Sequence, residues 1–192
     1  MGCDIHASLE YLNDCNWSSM NLHRVCLKND ELVDYDFTDR SYIRFSILAG
    51  VRNDYKLKPI SEPKGFPEDA SKETKEFYDE WVGDAHSASW LTLKELKDNI
   101  PNYSKIKVTA MLSPEQTRAL DESGVTPYSW CGYTNNKDWS KRTFFIEYNG
   151  LERMVEEIEY IAGYSLYRKS YDWGADPENL LEKIRVVFWF DN

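Results

Sequence analysis

Residues that ligate metals or act as nucleophiles are scarce in this sequence, which has three histidines and four cysteines among 192 residues. The cysteines stand at positions 3, 15, 26 and 131, without a C-x-x-C pair or a zinc-finger spacing. That spacing argues against a structural zinc site. Reduced thiols in a cytosol are the simplest interpretation.

Basic charge is also in short supply, because 33 acidic residues outnumber 23 basic ones and give a formal net charge of −10. A field of that sign repels the phosphate backbone, so we expect no binding of duplex nucleic acid. A local basic pocket for a small anion remains compatible with this charge.

Long apolar runs are missing as well. No stretch approaches the length that spans a bilayer, and Asp4 and His6 interrupt any apolar start, so no signal peptide is visible. His6 also stands where an N-terminal myristoylation motif needs serine or threonine. These features predict no membrane association.

The residues that are present predict a globular chain. Hydrophobic residues make up 42% of the sequence and aromatic residues 15%, which suffices for a sizeable core at this length. We predict one domain over 1–192, with loop-rich elaborations at 53–70 and 125–140. The second carries Tyr128, Trp130 and Tyr133, whose rings can stack on a planar ligand or pack against the body.

Hydrophobic periodicity predicts an α+β fold with a mixed or antiparallel central sheet. Gly2–Leu12 and Lys183–Asn192 alternate like strands, and we expect them in one sheet, with Asp191 or Arg185 near Asp4 and His6. Asn13–Ser19 is predicted as a turn-rich connection, and further strands are predicted at His23–Lys28, Lys105–Met111 and Arg142–Tyr148. Helices are predicted at Asp39–Gly50, Ser71–Trp81, Leu93–Ile100, Ser113–Gly124 and Leu151–Ala162.

The segment Gly83–Leu96 concentrates polar and aromatic side chains before a helix. Thr92 and Glu95 have the spacing of a capping box, which starts a helix at about Leu93. Asp84–Leu91 is then a short loop at a helix N-terminus, where unpaired N–H groups favour an anion. His86, Ser87 and Ser89 would add hydrogen-bond donors for that anion, and Trp90 would add an aromatic face. Alternatively, these side chains satisfy the loop's own backbone, and Trp90 anchors it to the core.

Three arginines lie around the first predicted helix. Arg40 and Arg44 are four residues apart and share a helix face, and Arg52 follows just after the end. Guanidinium groups suit carboxylate or phosphate ligands. Pairing with nearby aspartates explains them equally well.

Two Asp-x-His pairs, Asp4 with His6 and Asp84 with His86, are candidate metal ligands. If the two pairs converge, they could bind a divalent cation that lowers the pKa of a bound water. The alternative is a solvated strand face that carries an incidental carboxylate and imidazole.

Several motifs together resemble those of a family of uncharacterised proteins found in bacteriophage and bacterial genomes. They are the start MGCDIH, the segment DRSYIRFSILAGVRN, a P-x-G-x-P-x-D loop at Pro63, Gly65, Pro67 and Asp69, the segment DAHSASWLTLKEL and the ending VVFWFDN. The resemblance spans nearly the whole chain. It implies a viral or prophage origin, work inside a bacterial cytoplasm and, by analogy with other compact phage proteins, an accessory role against host defence.

Three functions follow as hypotheses. The first is a phage protein that binds and sequesters a small phosphorylated, nucleotide-derived ligand through Arg44, Arg52, His86, Ser87, Ser89 and Trp90. The second is a metal-dependent hydrolase or phosphoesterase that uses Asp4, His6, Asp84 and His86 as catalytic and metal-binding residues. The third is an acidic inhibitor that binds a host enzyme through the helices at 71–82 and 151–162. The sequence leaves open whether the protein is an enzyme, whether it needs a cofactor and whether it forms homo-oligomers.

Overall fold

The computed structural model of the chain describes residues 2–20, 25–26, 32–33, 39–169 and 181–191. Its strands are β1 (Asp4–Asn13), β2 (Asn16–Ser19), β3 (Val25–Cys26), β4 (Leu32–Val33), β5 (His86–Thr92), β6 (Lys105–Leu112), β7 (Ser140–Glu147) and β8 (Ile184–Asp191). Its helices are α1 (Tyr42–Ala49), α2 (Lys72–Asp79), α3 (Leu93–Tyr103), α4 (Pro114–Ser123) and α5 (Gly150–Lys169). Most of the predicted strand His23–Lys28 lies outside the described residues; its Val25 and Cys26 form β3.

The central sheet has four antiparallel strands in the order β2-β1-β8-β5. The first and last strands are direct neighbours, with Asp4 opposite Asp191 and Glu10 opposite Arg185. The α+β fold and the pairing of the two terminal strands are therefore confirmed. β8 is buried over Ile184–Phe190, as its mostly apolar pattern on both faces predicts.

The contacts divide the chain into two compact units, 1–100 with 150–192, and 101–149. The first unit holds the central sheet, and the second holds the two-stranded antiparallel sheet of β6 and β7 with α4. The prediction of one domain over 1–192 stays a prediction. The elaboration at 125–140 lies within the second unit.

The two faces of the central sheet have different partners. On one face, Phe45 of α1 contacts Phe190, with ring centroids 5.1 Å apart. On the other face, α2 and the residues before it contact β1 and β8, because the ring of Phe77 lies 5.0 Å from that of Trp189 and Ser71 N–H donates to Glu10. The polar face of β1 is therefore covered, and the expectation that it is solvated is wrong.

Most helix ends follow the capping residues in the sequence. Thr92 and Glu95 form the expected reciprocal pair, with N–H···O distances of 2.8 and 3.1 Å. Gly50 and Gly124 end their helices in the left-handed region. The cap of α1 is Ser41 and not Asp39, because the Ser41 hydroxyl accepts from the Arg44 N–H while Asp39 pairs with the Arg44 side chain.

Other predicted boundaries move by a few residues. α2 ends at Asp79, before Gly83, and α5 continues past Ala162 to Lys169. α3 passes Ile100 and retains Pro101 in its last turn. Pro101 lacks only one backbone donor, and the Ser104 hydroxyl donates to the Pro101 carbonyl at 3.2 Å where the helix ends. The predicted connection Asn13–Ser19 is in fact a tight turn followed by β2.

The largest correction concerns Asp84–Leu91, which is not a loop. Residues 86–92 form β5, the strand beside β8. The pairing is interrupted by a register shift between His86 and Ser89, and Ser87 has a φ of +51°. Hydrogen bonding to β8 outweighs the weak strand propensity of the serines and alanine here. Among the described residues, no helix combines the length and apolar character that crossing a bilayer requires.

Candidate functional site

A histidine held between two tryptophans lies at one end of the central sheet. The ring of His6 stacks on Trp81 at 3.7 Å between centroids and lies 6.0 Å from Trp189, with interplanar angles of 28° and 23°. Strand register places His6 opposite Trp189, so both rings lie on the face that α2 covers. Trp81 follows the end of α2, and its position after that helix brings its indole over His6.

The three stacked rings carry buried nitrogen atoms without hydrogen-bond partners among the described residues. These atoms are His6 Nε2, Trp81 Nε1 and Trp189 Nε1. The side chain of Asp191 lies beside them, with Oδ2 3.4 Å from His6 Nε2, close enough for an ion pair but outside hydrogen-bond geometry. An indole N–H can only donate, so Trp81 and Trp189 both require an acceptor that these side chains do not supply.

A half-exposed ion pair borders the stacked rings. Arg40 donates to both carboxylate oxygens of Asp4, at 2.7 Å from Nε and 2.5 Å from Nη2. The hydrogen bond and charge of Arg40 lower the pKa of Asp4, and Asp4 in turn raises the pKa of Arg40. The Asp4 N–H donates to Asp191 Oδ1 at 3.0 Å, which links this pair to the carboxylate beside His6.

The start of the chain lies against these arginines. A Cβ on Gly2 would approach Arg40 Nη1 to 2.6 Å, so a side chain there would require the guanidinium to shift. The thiol of Cys3 is buried, and burial raises its pKa, although a hydrogen bond from Arg52 acts in the opposite direction. Arg52 itself is exposed and has a φ of +50°.

Together these residues form one site, the sheet-end cluster, which lies in the first unit. Its members are Asp4, His6, Arg40, Trp81, Trp189 and Asp191, with Cys3 and Arg52 next to them. It combines unpaired nitrogen donors, two guanidinium groups and two carboxylates. Chemically it is suited to binding a small molecule rich in hydrogen-bond acceptors.

Three residues of the predicted anion site have structural partners instead. The Arg44 guanidinium binds Asp39. The buried Ser89 hydroxyl accepts from the Lys64 N–H at 3.1 Å, and the ring of Trp90 lies 4.0 Å beneath Lys64 Nζ. Ser89 and Trp90 thus fix the proline-rich segment to β5, which differs from the alternative interpretation, because the Ser89 hydroxyl accepts from a different segment and not from its own backbone.

Of the three remaining predicted residues, Arg52 lies next to Cys3, and His86 lies on the other face of the sheet with Ser87 next to it in sequence. His86 pairs with Phe190 on β8, and the centroids of their two rings are 6.0 Å apart. His86 Nδ1 lies 3.0 Å from the Ser87 hydroxyl oxygen. Because Phe190 and Trp189 are consecutive on β8, their side chains point to opposite faces. His86 and His6 are therefore separated by the sheet.

The structure does not bring the two Asp-x-His pairs together. Asp84 is exposed in the turn before β5, where its N–H donates to the Trp81 carbonyl at 2.8 Å. Asp4 is held by Arg40 on the covered face with His6. Within the described ranges, no three His, Cys, Asp or Glu side chains are grouped so that they could hold a metal ion.

A second polar network on the covered face was not predicted. Arg185 Nε donates to Glu10 at 2.7 Å, Arg185 Nη1 donates to Asp69 at 2.9 Å, and the Trp17 ring lies 3.9 Å from the guanidinium carbon. Trp17 Nε1 also donates to Asp69, and Ser71 N–H donates to Glu10. This network ties the proline-rich segment to β1 and β8, which positions α2 and hence Trp81.

Sequence reasoning found Asp4, His6 and the proximity of Asp191, but it missed Trp81 and Trp189 as functional candidates. Both tryptophans look like core residues in the sequence. The available clue is that Trp189 shares its strand face with Asp191, the residue expected near His6. No family model, curated protein or solved structure matches this chain.

Proposed function

We propose that the protein is a bacteriophage accessory factor that binds and sequesters a small phosphorylated, nucleotide-derived ligand in the cytoplasm of the bacterial host. The resemblance of its motifs to a phage and bacterial family motivates the accessory role. The binding site is the sheet-end cluster. The observation that carries the proposal is the set of three ring nitrogens without hydrogen-bond partners among the described residues, in a cluster that also holds the Asp4–Arg40 ion pair.

Phosphate oxygens suit the donors at this site. The indole N–H groups of Trp81 and Trp189 lack acceptors among the described residues, and an unsatisfied buried donor costs about 1–3 kcal/mol. Phosphate oxygens accept from guanidinium groups, and the Arg40 guanidinium at the border of the cluster is half exposed. Trp81 is only partly buried, so the side of its ring turned away from His6 can stack on a base.

The ion pair at the border can open for such a ligand. Arg40 and Asp4 are each about half exposed, with side-chain exposures of 52% and 48%. Ion pairs at this exposure contribute little to stability, because solvent screens them. A phosphate can therefore replace the Asp4 carboxylate as the partner of Arg40 at small free-energy cost.

The geometry favours binding over metal-assisted hydrolysis. The hydrolase hypothesis needs Asp4, His6, Asp84 and His86 around one cation, and the sheet separates His6 from His86. The sheet-end cluster keeps only one of the two pairs, and there Arg40 occupies the Asp4 carboxylate.

The test is isothermal titration calorimetry of the full chain with adenosine 5′-monophosphate, cyclic AMP and cyclic di-AMP. We expect saturable binding of at least one probe, with the probe recovered unchanged by chromatography. Trp81→Phe keeps the stack on His6 but removes the N–H, so we expect about a tenfold loss of affinity. Arg40→Gln should weaken binding by at least as much.

Trp90→Phe is the matched control, because Trp90 lies under Lys64 and outside the cluster. Its affinity should equal that of the unchanged protein. Binding that is insensitive to Trp81→Phe and Arg40→Gln would contradict the assignment of the site. Conversion of the probe to a product would contradict sequestration, and no binding of any probe would contradict the ligand class.

A further inference from the structure

The outward face of the β6–β7 sheet, in the second unit, is exposed and basic. Cross-strand register puts Lys107 opposite Phe145 and Lys105 opposite Glu147 on this face. Thr109 and Thr143 face each other further along, with their hydroxyl oxygens 2.9 Å apart. Lys141 continues the same side of β7, so three lysines and one carboxylate line the face.

An aromatic ring lies in the middle of these lysines. Phe145 is 53% exposed, although its neighbours in sequence, Phe144 and Ile146, are buried on the inward side. Lys105 Nζ lies 5.6 Å from the centre of the Phe145 ring. A large apolar side chain placed in solvent between ammonium groups offers a stacking surface beside positive charge.

The charge of this unit differs from that of the rest of the chain. Residues 101–149 contain six Lys and Arg against five Asp and Glu, whereas the remaining residues contain 17 against 28. The acidic charge is therefore concentrated outside the second unit. Exposed charges are screened beyond a Debye length of about 10 Å at 0.1 M salt, so the charges on the face itself contribute most to the attraction of an anion there.

Further exposed rings belong to the same unit. Cys131 pairs with Met111 near the end of β6 through a backbone N–H···O bond of 2.8 Å. Tyr128 and Tyr133 flank Cys131 in sequence and are 93% and 79% exposed. Exposed aromatic rings that accompany lysines are what single-stranded nucleic acid requires, because every base can stack and every nucleotide carries a phosphate.

We propose that the outward face of the β6–β7 sheet binds single-stranded nucleic acid, with a base stacked on Phe145 and phosphates held by Lys105, Lys107 and Lys141. Phe145 and Lys141 are four positions apart on β7, about 13 Å along the strand, so the contacts follow an extended backbone. A duplex hides its base faces and cannot use Phe145. An acidic peptide would use the lysines without needing the exposed ring.

The experiment is fluorescence anisotropy of the full chain with a labelled 12-nucleotide oligothymidylate at 50 and 200 mM salt. The same titration uses a duplex of equal length and a labelled oligoglutamate peptide. We expect saturable binding of the oligothymidylate that weakens as salt rises. Phe145→Ala should reduce its affinity about tenfold, since one stacked base is lost. Lys107→Glu should reduce it and also flatten the salt dependence.

Matched controls separate this face from general effects of charge and ring removal. Lys72→Glu changes the net charge equally at an exposed position on α2, and Tyr160→Ala removes a ring that is 46% exposed on α5. Both should bind like the unchanged protein. Absence of saturable binding at 50 mM salt, equal losses in the controls, or preference for the duplex or for oligoglutamate would each overturn the proposal.

Discussion

The buried pair of Arg185 and Glu10 should be a main determinant of the stability of the central sheet. The two residues are opposite each other on β8 and β1, and they are 2% and 0% exposed. Glu10 has two described partners, the Arg185 guanidinium and the Ser71 N–H, each at 2.7 Å. Arg185→Met keeps the apolar stem but leaves the Glu10 carboxylate buried without a cation. We expect the free energy of unfolding to fall by about 3–5 kcal/mol.

Two related variants test whether the loss of stability comes from the buried, unpaired carboxylate. Asp69→Asn also alters a partner of Arg185, but the Asp69 side chain is 66% exposed, so we expect a loss below about 1 kcal/mol. The double variant Glu10→Leu with Arg185→Met removes both buried charges. It should be more stable than Arg185→Met alone, because no uncompensated carboxylate remains.

Urea denaturation followed by tryptophan fluorescence measures these differences, since the Trp17 ring lies 3.9 Å from the guanidinium. With an m value of about 2 kcal/mol/M, a loss of 3–5 kcal/mol lowers the midpoint by about 1.5–2.5 M. The reasoning is refuted if Arg185→Met lies within about 1 kcal/mol of the unchanged protein, or if the double variant is no more stable than the single one. Equal effects of Arg185→Met and Asp69→Asn would also refute it, because burial would then not decide the magnitude.

Two further predictions concern a thiol and a glycine. Burial raises the pKa of Cys3, so the thiol in the folded protein keeps its proton at a pH where the thiol in the unfolded chain releases it. The free energy of unfolding should therefore fall as pH rises above about 8.5. Cys3→Ala should flatten that slope in urea titrations from pH 8 to 10. In native protein, the exposed Cys15 should react with Ellman's reagent, and Cys3 should react only after unfolding. Gly50→Ala should lower the free energy of unfolding by about 1 kcal/mol in urea denaturation, because Gly50 has a φ of +69°. Gly83→Ala is the control, because Gly83 lies at an open position without positive φ, and it should have no comparable effect.

The parts of the fold that the sequence predicts are those set by local chemistry. The capping pair of Thr92 and Glu95 and the left-handed glycine at Gly50 act within one helical turn, so they are readable from a few residues. The strand at the end of the chain is equally clear, because its run of branched and aromatic residues is typical of a buried strand.

The strand β5 could not be read in this way. Its residues His86–Ser89 are small or polar, and a pattern of that kind is typical of loops. They form a strand because β8 lies beside them and provides hydrogen-bond partners. Pairing with a segment about one hundred residues away is tertiary context, which local propensity does not contain.

The candidate site was predictable to the extent that it depends on the pairing of the terminal strands. The alternation of the first and last strands brings Asp191 next to Asp4 and His6, and the structure shows these contacts. The Trp81 ring that covers His6 was not predictable, because its position depends on α2, which the contact of Phe77 with Trp189 and the network of Arg185 both hold against the sheet. The sequence shows each of those residues but not their convergence.

The two Asp-x-His pairs illustrate why matching motifs need not form one site. Side chains alternate between the faces of a sheet, so the face of each histidine depends on whether its partner on β8 is an odd or an even residue. His6 pairs with Trp189 and His86 pairs with Phe190, and this difference of one residue puts the imidazoles on opposite faces. The register shift between His86 and Ser89 contributes to that outcome, since an irregular pairing changes which residues face each other. Two matching motifs therefore form one site only if strand register puts both on the same face of the sheet. In this protein the register places His6 on the face of Trp189 and His86 on the face of Phe190.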